Sequence, residues 1–123
     1  MYRKYQNKKT EVNGIKFDSR KESKHYLYLK NLYEHGFISD LRLQVPYELL
    51  PAIWEEQEVQ LKTKTKKVRK CVQKAVNYIA DFVYVDNNTG KEEVVDVKGM
   101  RTKEYLLKKK MMLALKGIKI LEV

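Results

Sequence analysis

Four residues of this chain are of types, and at spacings, that could do chemistry together: Glu22, Asp81, Asp96 and Lys98. Asp96 and Lys98 lie two apart in the stretch Glu93-Val94-Val95-Asp96-Val97-Lys98-Gly99. Side chains alternate faces along a strand, so Val94, Asp96 and Lys98 share one side while Val95 and Val97 point to the other. A carboxylate and an ammonium therefore end an apolar strand side by side, just before a glycine that lets the chain turn. Asp81 interrupts a second apolar strand. Burying a lone carboxylate costs several kcal/mol unless it is paired or bound to a cation. Two or three carboxylates held close raise one another's pKa unless a cation neutralises them. Hard oxygen donors of this kind select Mg²⁺ or Mn²⁺. Such an ion binds a phosphate oxygen, lowers the pKa of a bound water and stabilises a phosphoryl transition state. Lys98 beside it can orient or deprotonate the attacking water, or stabilise developing charge, because lysine is readily tuned by its surroundings.

Each of these residues also has a plainer reading. Glu22 can serve only as the acid of a helix capping box, and Asp81 can pair with Lys98 across a hairpin as a structural ion pair. Tyr105 reads as core or groove wall. His25 reads as structural or solvated, and the run Lys108-Lys109-Lys110 as a solvated helix face, one lysine of which is free to contact phosphate.

The elements that must position these residues are legible in order. Residues 1–9 read as a basic arm. Thr10-Glu11-Val12 and Ile15-Lys16-Phe17 flank Asn13-Gly14, a strong two-residue hairpin signal. Asp18 and Ser19 begin a helix in which Ser19 and Glu22 form the capping box, and which runs to His35 and stops at Gly36. Its apolar stripe is Tyr26, Leu29, Leu32 and Tyr33, and four residues back from Tyr26 that stripe reaches Glu22. Leu41 to Leu50 reads as a strand with Leu41, Leu43, Val45, Tyr47 and Leu49 on one face, and Pro46 demotes it toward an edge or a bulge. Pro51 to Glu58 has no clean period and reads as irregular or weakly extended. Residues 62–74 hold seven Lys or Arg and no acid, which suits a solvated hairpin or loop and is compatible with a nucleic-acid partner. From Val76 the alternation places Val76, Tyr78, Ala80, Phe82 and Tyr84 on one face and Asp81 on the other. The turn formers Asp86 to Gly90 close a hairpin onto a strand over 92–98. Thr102 caps a helix over 103–116 that Gly117 ends, and Ile118 to Val123 forms a last strand. The expectation is an α/β fold, helices flanking a small mixed sheet in the order α-β-β-β-α-β.

Bulk properties bound the function. At 123 residues the chain makes one domain, with residues 51–75 as a basic loop or hairpin insertion. A net charge of +10 and a pI near 9.6 point to a polyanionic partner. No apolar run approaches the roughly 18 residues needed to span a bilayer, and there is no signal-peptide core, so no membrane partner is expected. The single Cys71 forms no internal disulfide, in keeping with a reducing cytoplasm. One Cys with His25 and His35 gives no recognisable zinc ligand set.

The joint pattern resembles the PD-(D/E)xK nuclease superfamily, with its restriction-endonuclease-like core. The residues that carry the resemblance are Glu22 in Ser19-Arg20-Lys21-Glu22, Asp81 in Tyr78-Ile79-Ala80-Asp81-Phe82, and Asp96-Val97-Lys98-Gly99. Ala80 stands where the proline that names the motif is found. With Phe17-Asp18-Ser19 before the helix glutamate, the chain is similar over nearly its whole length to a group of small phage proteins. The arrangement is also similar to phage endonuclease I-type Holliday-junction resolvases, the endonuclease subunit of certain transposases and very-short-patch repair nickases. The resemblance implies that Asp81, Asp96 and the Val97 carbonyl ligate Mg²⁺ or Mn²⁺, that Glu22 completes the site, and that Lys98 serves the attacking water. It implies cleavage of DNA, branched or structured, by a phage-encoded enzyme in the host cytoplasm, with a homodimer for symmetric resolution. A duplex nickase, or a catalytically silent DNA-binding module on the same fold, are the alternatives. Lys66, Lys67, Arg69 and Lys70, with Lys108 or Lys109 of the last helix, are the expected DNA contacts.

Overall fold

The computed structural model describes residues 10–98 and 101–123; the basic arm over 1–9 and the turn at Gly99 lie outside the described residues. β1 (Thr10–Val12) and β2 (Ile15–Phe17) pair about Asn13 and Gly14, which sit at φ +52° and +78°, as a type I′ turn requires. α1 (Arg20–Glu34) follows, with Ser19 Oγ accepting the Glu22 N–H at 3.1 Å. Its C-terminus is closed by Gly36 at φ +78°, with Phe37 N–H bonded back to the Leu32 carbonyl. The chain continues as β3 (Ile38–Leu50), β4 (Ile53–Gln60), β5 (Thr65–Gln73), β6 (Val76–Asp86), β7 (Glu92–Asp96), α2 (Lys103–Lys116) and β8 (Leu121–Glu122). In the β6–β7 turn the Asp86 carboxylate accepts the Asn88 N–H at 2.8 Å, a local bond typical of turns rich in Asp and Asn.

Four strands form the central sheet in the order β3-β6-β7-β8. The first three are antiparallel and β8 runs parallel to β7, so the sheet is mixed. Pro46, which lacks a donor, falls on the edge strand β3. Consecutive residues of β7 identify the two faces. Val94 packs in the core cluster of Tyr78, Val83, Tyr105 and Met112, whereas Val95 packs with Phe17, Tyr26, Leu29 and Phe82. One cluster holds side chains of α2 and the other those of α1, so each face of the sheet is covered by a helix. Setting aside β1–β2 and β4–β5, the core runs α1-β3-β6-β7-α2-β8, an α/β order with the mixed sheet expected.

Four local expectations are corrected. Residues 53–60 are a regular strand, paired with β5 into a separate two-stranded ribbon. Trp54, Glu55, Glu56 and Glu58 find partners on β5, which the absence of a clean apolar period concealed. Tyr33 is 52 % exposed, beyond the edge of the α1 stripe. The last strand is only two residues long. Most consequentially, β6 does not keep one face throughout. Tyr78 and Ala80 belong to the α2-side cluster, but Phe82 belongs to the α1-side cluster, with Tyr84 packed against it. β3 switches in step, with Leu43 on the α1 side and Val45, Tyr47 and Leu49 on the α2 side. Between the two halves stands Gln44 at φ +51°, and beside it Asp81. A left-handed residue inside a strand acts as a bulge would, bending the strand and resetting its alternation. Among the described residues, no helix is long and apolar enough to cross a membrane.

Candidate functional site

The last Cα pair of β6 with β7 is Phe82 with Val95. One step further the strands part, and Asp81 stands in the fork. Its Oδ2 accepts the Val97 N–H at 2.8 Å, taking the place of the backbone acceptor that a continued ladder would supply. Asp96 is 2 % exposed. One of its oxygens accepts from the Tyr78 hydroxyl, and the other faces the Lys98 ammonium at 3.1 Å. Asp96 and Lys98 thus share a side as strand alternation requires, and Lys98 makes its ion pair with Asp96 rather than with Asp81. The ammonium also lies 4.0 Å from the centre of the Tyr105 ring, within cation–π range. On the other side of β7, Lys21 of α1 donates to the Lys98 carbonyl at 2.8 Å, which ties the strand end to that helix.

Glu22 reaches the same place from α1. It is 6 % exposed, and its Oε1 accepts from Gln44 Nε2 at 2.9 Å. The capping box is therefore half used: Ser19 caps the helix, while the Glu22 carboxylate is turned toward the sheet. Gln44 Nε2 also stands 3.5 Å from Asp81 Oδ1 and spans the two acids. Burial pushes the Glu22 carboxyl up to about 7, and the negative charges of Asp81, Asp18 and Asp96 add to this against the Gln44 hydrogen bond. Burial also raises Asp81, opposed by the Val97 N–H and the Lys98 charge and reinforced by Asp96. The Tyr78 hydroxyl is held far above its ordinary range by burial and by its bond to Asp96. Burial does the same to Tyr105, whose oxygen is sequestered without a hydrogen-bond partner among the described residues.

Asp81, Asp96 and Lys98 open on a cleft of about 250 Å³ whose walls also include Tyr78, Tyr105 and Lys108. Among the described residues no group of three or more acidic, His or Cys side chains stands close enough to enclose a metal ion as placed; Tyr78, Gln44 and the Val97 N–H each bond a carboxylate oxygen there. The donors nevertheless fit a hard divalent cation. They are carboxylates whose mutual repulsion is relieved by a single lysine, and Asp96 Oδ1 is buried with no well-formed hydrogen bond. Asp81 and Asp96 could hold such an ion, with Glu22 beside them and the carbonyl of Val97 at the fork.

The remaining expected residues are placed less uniformly. Lys108 lines the cleft and pairs with Glu104 at 3.0 Å. Lys109 is turned away to bond Glu122 of β8, which Arg101 also engages at 2.8 Å. Lys66, Lys67, Arg69 and Lys70 all lie on β5, outside the central sheet. His25 packs against the rings of Tyr28 and Phe82, and burial lowers its pKa. Gln44 and Tyr78 are the site residues that sequence reasoning missed. Tyr78 carried a usable signal, since a tyrosine in a buried strand position needs a partner for its hydroxyl. Gln44 carried none, because its role follows from a left-handed backbone inside a strand.

Comparison with curated proteins and with solved structures returns no significant match. A family pattern does match, over residues 2–120, and the chain accordingly belongs to the family described as "Protein of unknown function (DUF1064)".

Proposed function

We propose that the chain is a divalent-metal-dependent DNA endonuclease that hydrolyses phosphodiester bonds, with branched or structured DNA as its substrate. The observation that carries this reading is the fork itself. Asp81 of β6 meets Asp96, the last residue of β7, and Lys98 just beyond it where the strands part, Glu22 arrives from α1, and α2 follows. The core order and these residues agree with the PD-(D/E)xK resemblance. A net charge of +10 suits a polyanionic substrate.

Asp81 and Asp96 would hold the ion, with Glu22 and the Val97 carbonyl completing its surroundings. Bound there, Mg²⁺ or Mn²⁺ supplies a Lewis acid for the scissile phosphate and lowers the pKa of a coordinated water. Tyr78 fixes the orientation of Asp96 by its hydrogen bond. The Tyr105 ring holds the Lys98 ammonium at the cleft, where it orients the attacking water and stabilises charge developing on the phosphate oxygens. Lys108, on the α2 wall of the cleft, is placed to meet a neighbouring phosphate.

The test is cleavage of an end-labelled four-way junction, a nicked duplex and a linear duplex, each with Mg²⁺, Mn²⁺ or EDTA, by wild type and Lys98→Ala. Metal-dependent symmetric cuts in the junction, reduced on the order of 10²-fold or more in the variant, are expected. Cleavage of the nicked or linear duplex alone would keep the nuclease and discard the junction substrate. Binding to all three without cleavage would replace the enzyme with a silent DNA-binding module.

A further inference from the structure

The β4–β5 ribbon pairs with no strand of the central sheet, and its residues are almost all exposed. Residues opposite one another in an antiparallel pair share a face, so the register sorts its charges. On one face Glu56 stands opposite Arg69 and Glu58 opposite Lys67, and the Arg69 guanidinium lies 5.3 Å from the centre of the Trp54 ring. That face carries two acids and two bases and is neutral. On the other face Lys66 stands opposite Val59 and Val68 opposite Gln57, while Lys70 stands opposite Glu55, so that face carries two bases and one acid and Lys66 is its cation with no acid opposite. Lys62 and Lys64 sit in the connection between the strands. The surplus positive charge of the ribbon is thus confined to its tip and one face.

We infer that the ribbon is a one-sided clamp for double-stranded DNA: Lys66, continued by Lys62 and Lys64 at the tip, contacts the phosphate backbone, while Lys67, Arg69 and Lys70, each opposite a glutamate, serve the ribbon's own structure. This deepens the proposed function and rests on its DNA substrate. At roughly 3.4 Å per residue the eight residues of β4 extend about 27 Å. A major groove about 12 Å wide admits a two-stranded ribbon, so the clamp can cross one groove and meet phosphates on both sides. Sequence alone grouped all four β5 cations as DNA contacts; the register divides them in two.

The experiment reads binding without cleavage. The affinity of a fluorescein-labelled linear 30-base-pair duplex is followed by anisotropy in EDTA from 50 to 300 mM salt. Wild type is compared with Lys64→Gln/Lys66→Gln and with Lys67→Gln/Arg69→Gln, which remove equal charge. The first variant is expected to lose about 1.8 from the slope of log K against log salt, close to 0.9 per phosphate contact, and the second less than 0.5. Lys64→Arg/Lys66→Arg is expected to restore the slope, and unchanged circular dichroism establishes that each variant is folded. Equal losses from the two Gln variants, or no loss from the first, would overturn the one-sided clamp. Because EDTA silences cleavage, that failure is separate from a failure of the endonuclease reading, which the cleavage assay reports.

Discussion

Glu22 is the residue on which the chemistry of the site leaves a mark in solution without any substrate. Its carboxyl titrates near 7 in the folded protein against an ordinary value of 4.5, mainly because it is buried and faces Asp81. A carboxyl raised in the native state binds its proton more tightly there than when unfolded. The contribution of this group to stability is therefore highest below about pH 4.5 and is lost as pH rises through 7, by about 3 kcal/mol in all. His25 acts in the opposite sense. Its folded pKa is lowered, so it costs stability below about 6.5 and that cost vanishes as pH rises. The difference between wild type and Glu22→Gln isolates the glutamate, since Gln can still accept from Gln44. Urea unfolding in EDTA at pH 5 and pH 8 is expected to show wild type losing about 2.5 kcal/mol more than the variant. Parallel pH dependence in the two proteins would mean that Glu22 is not held among the acids.

At the scale of the element, the central sheet and the ribbon are expected to respond differently to truncation. Met112, on the buried face of α2, is fully buried in the cluster with Tyr78 and Tyr105, whereas Trp54 is 51 % exposed on the ribbon. Met112→Ala is expected to cost about 2–5 kcal/mol of unfolding free energy and Trp54→Ala about 1 kcal/mol or less, both read by thermal melting. A Trp54→Ala loss as large as that of Met112→Ala would show that the ribbon is part of the folding core. The same contrast explains what could be read in the sequence. α1, α2, the Asn13-Gly14 hairpin and the Asp86 to Gly90 turn are written in local capping and turn chemistry, and these elements fell within a residue or two of expectation. β4 was not legible because a solvated ribbon has no apolar face and hence no period. The switch of faces in β3 and β6 was not legible because it depends on Gln44 at φ +51°, a conformation with no sequence signature in a glutamine. The site acids were legible as residue types on strands, but the division of labour was not. Lys98 leaning on Tyr105, Tyr78 on Asp96 and Gln44 between two acids are all contacts between distant segments.

For the whole molecule, three carboxylates and Lys98 meet at the fork, a negative excess once Glu22 is ionised, inside a chain that carries +10 overall. That local excess opposes folding and at the same time makes a place for a cation, so stability and the proposed activity pull against each other. An ion that binds the folded state alone stabilises it by RT ln(1 + [L]/Kd), or about 2.7 kcal/mol at one hundred times Kd. For a domain of this size that is a rise of roughly 10 °C in Tm. Wild type at pH 7.5 is expected to melt higher in millimolar Mn²⁺ or Mg²⁺ than in EDTA. Asp81→Asn is expected to lose that rise. In EDTA, however, it should melt at or above wild type, because Asn keeps an acceptor for the Val97 N–H and removes a charge that burial disfavours. Lys98→Ala is expected to keep the rise, since it removes the competing internal cation and no ligand. A metal-induced rise that survives Asp81→Asn would place the ion elsewhere. An EDTA melt of Asp81→Asn several degrees below wild type would mean that Asp81 braces the fork rather than waiting for a cation.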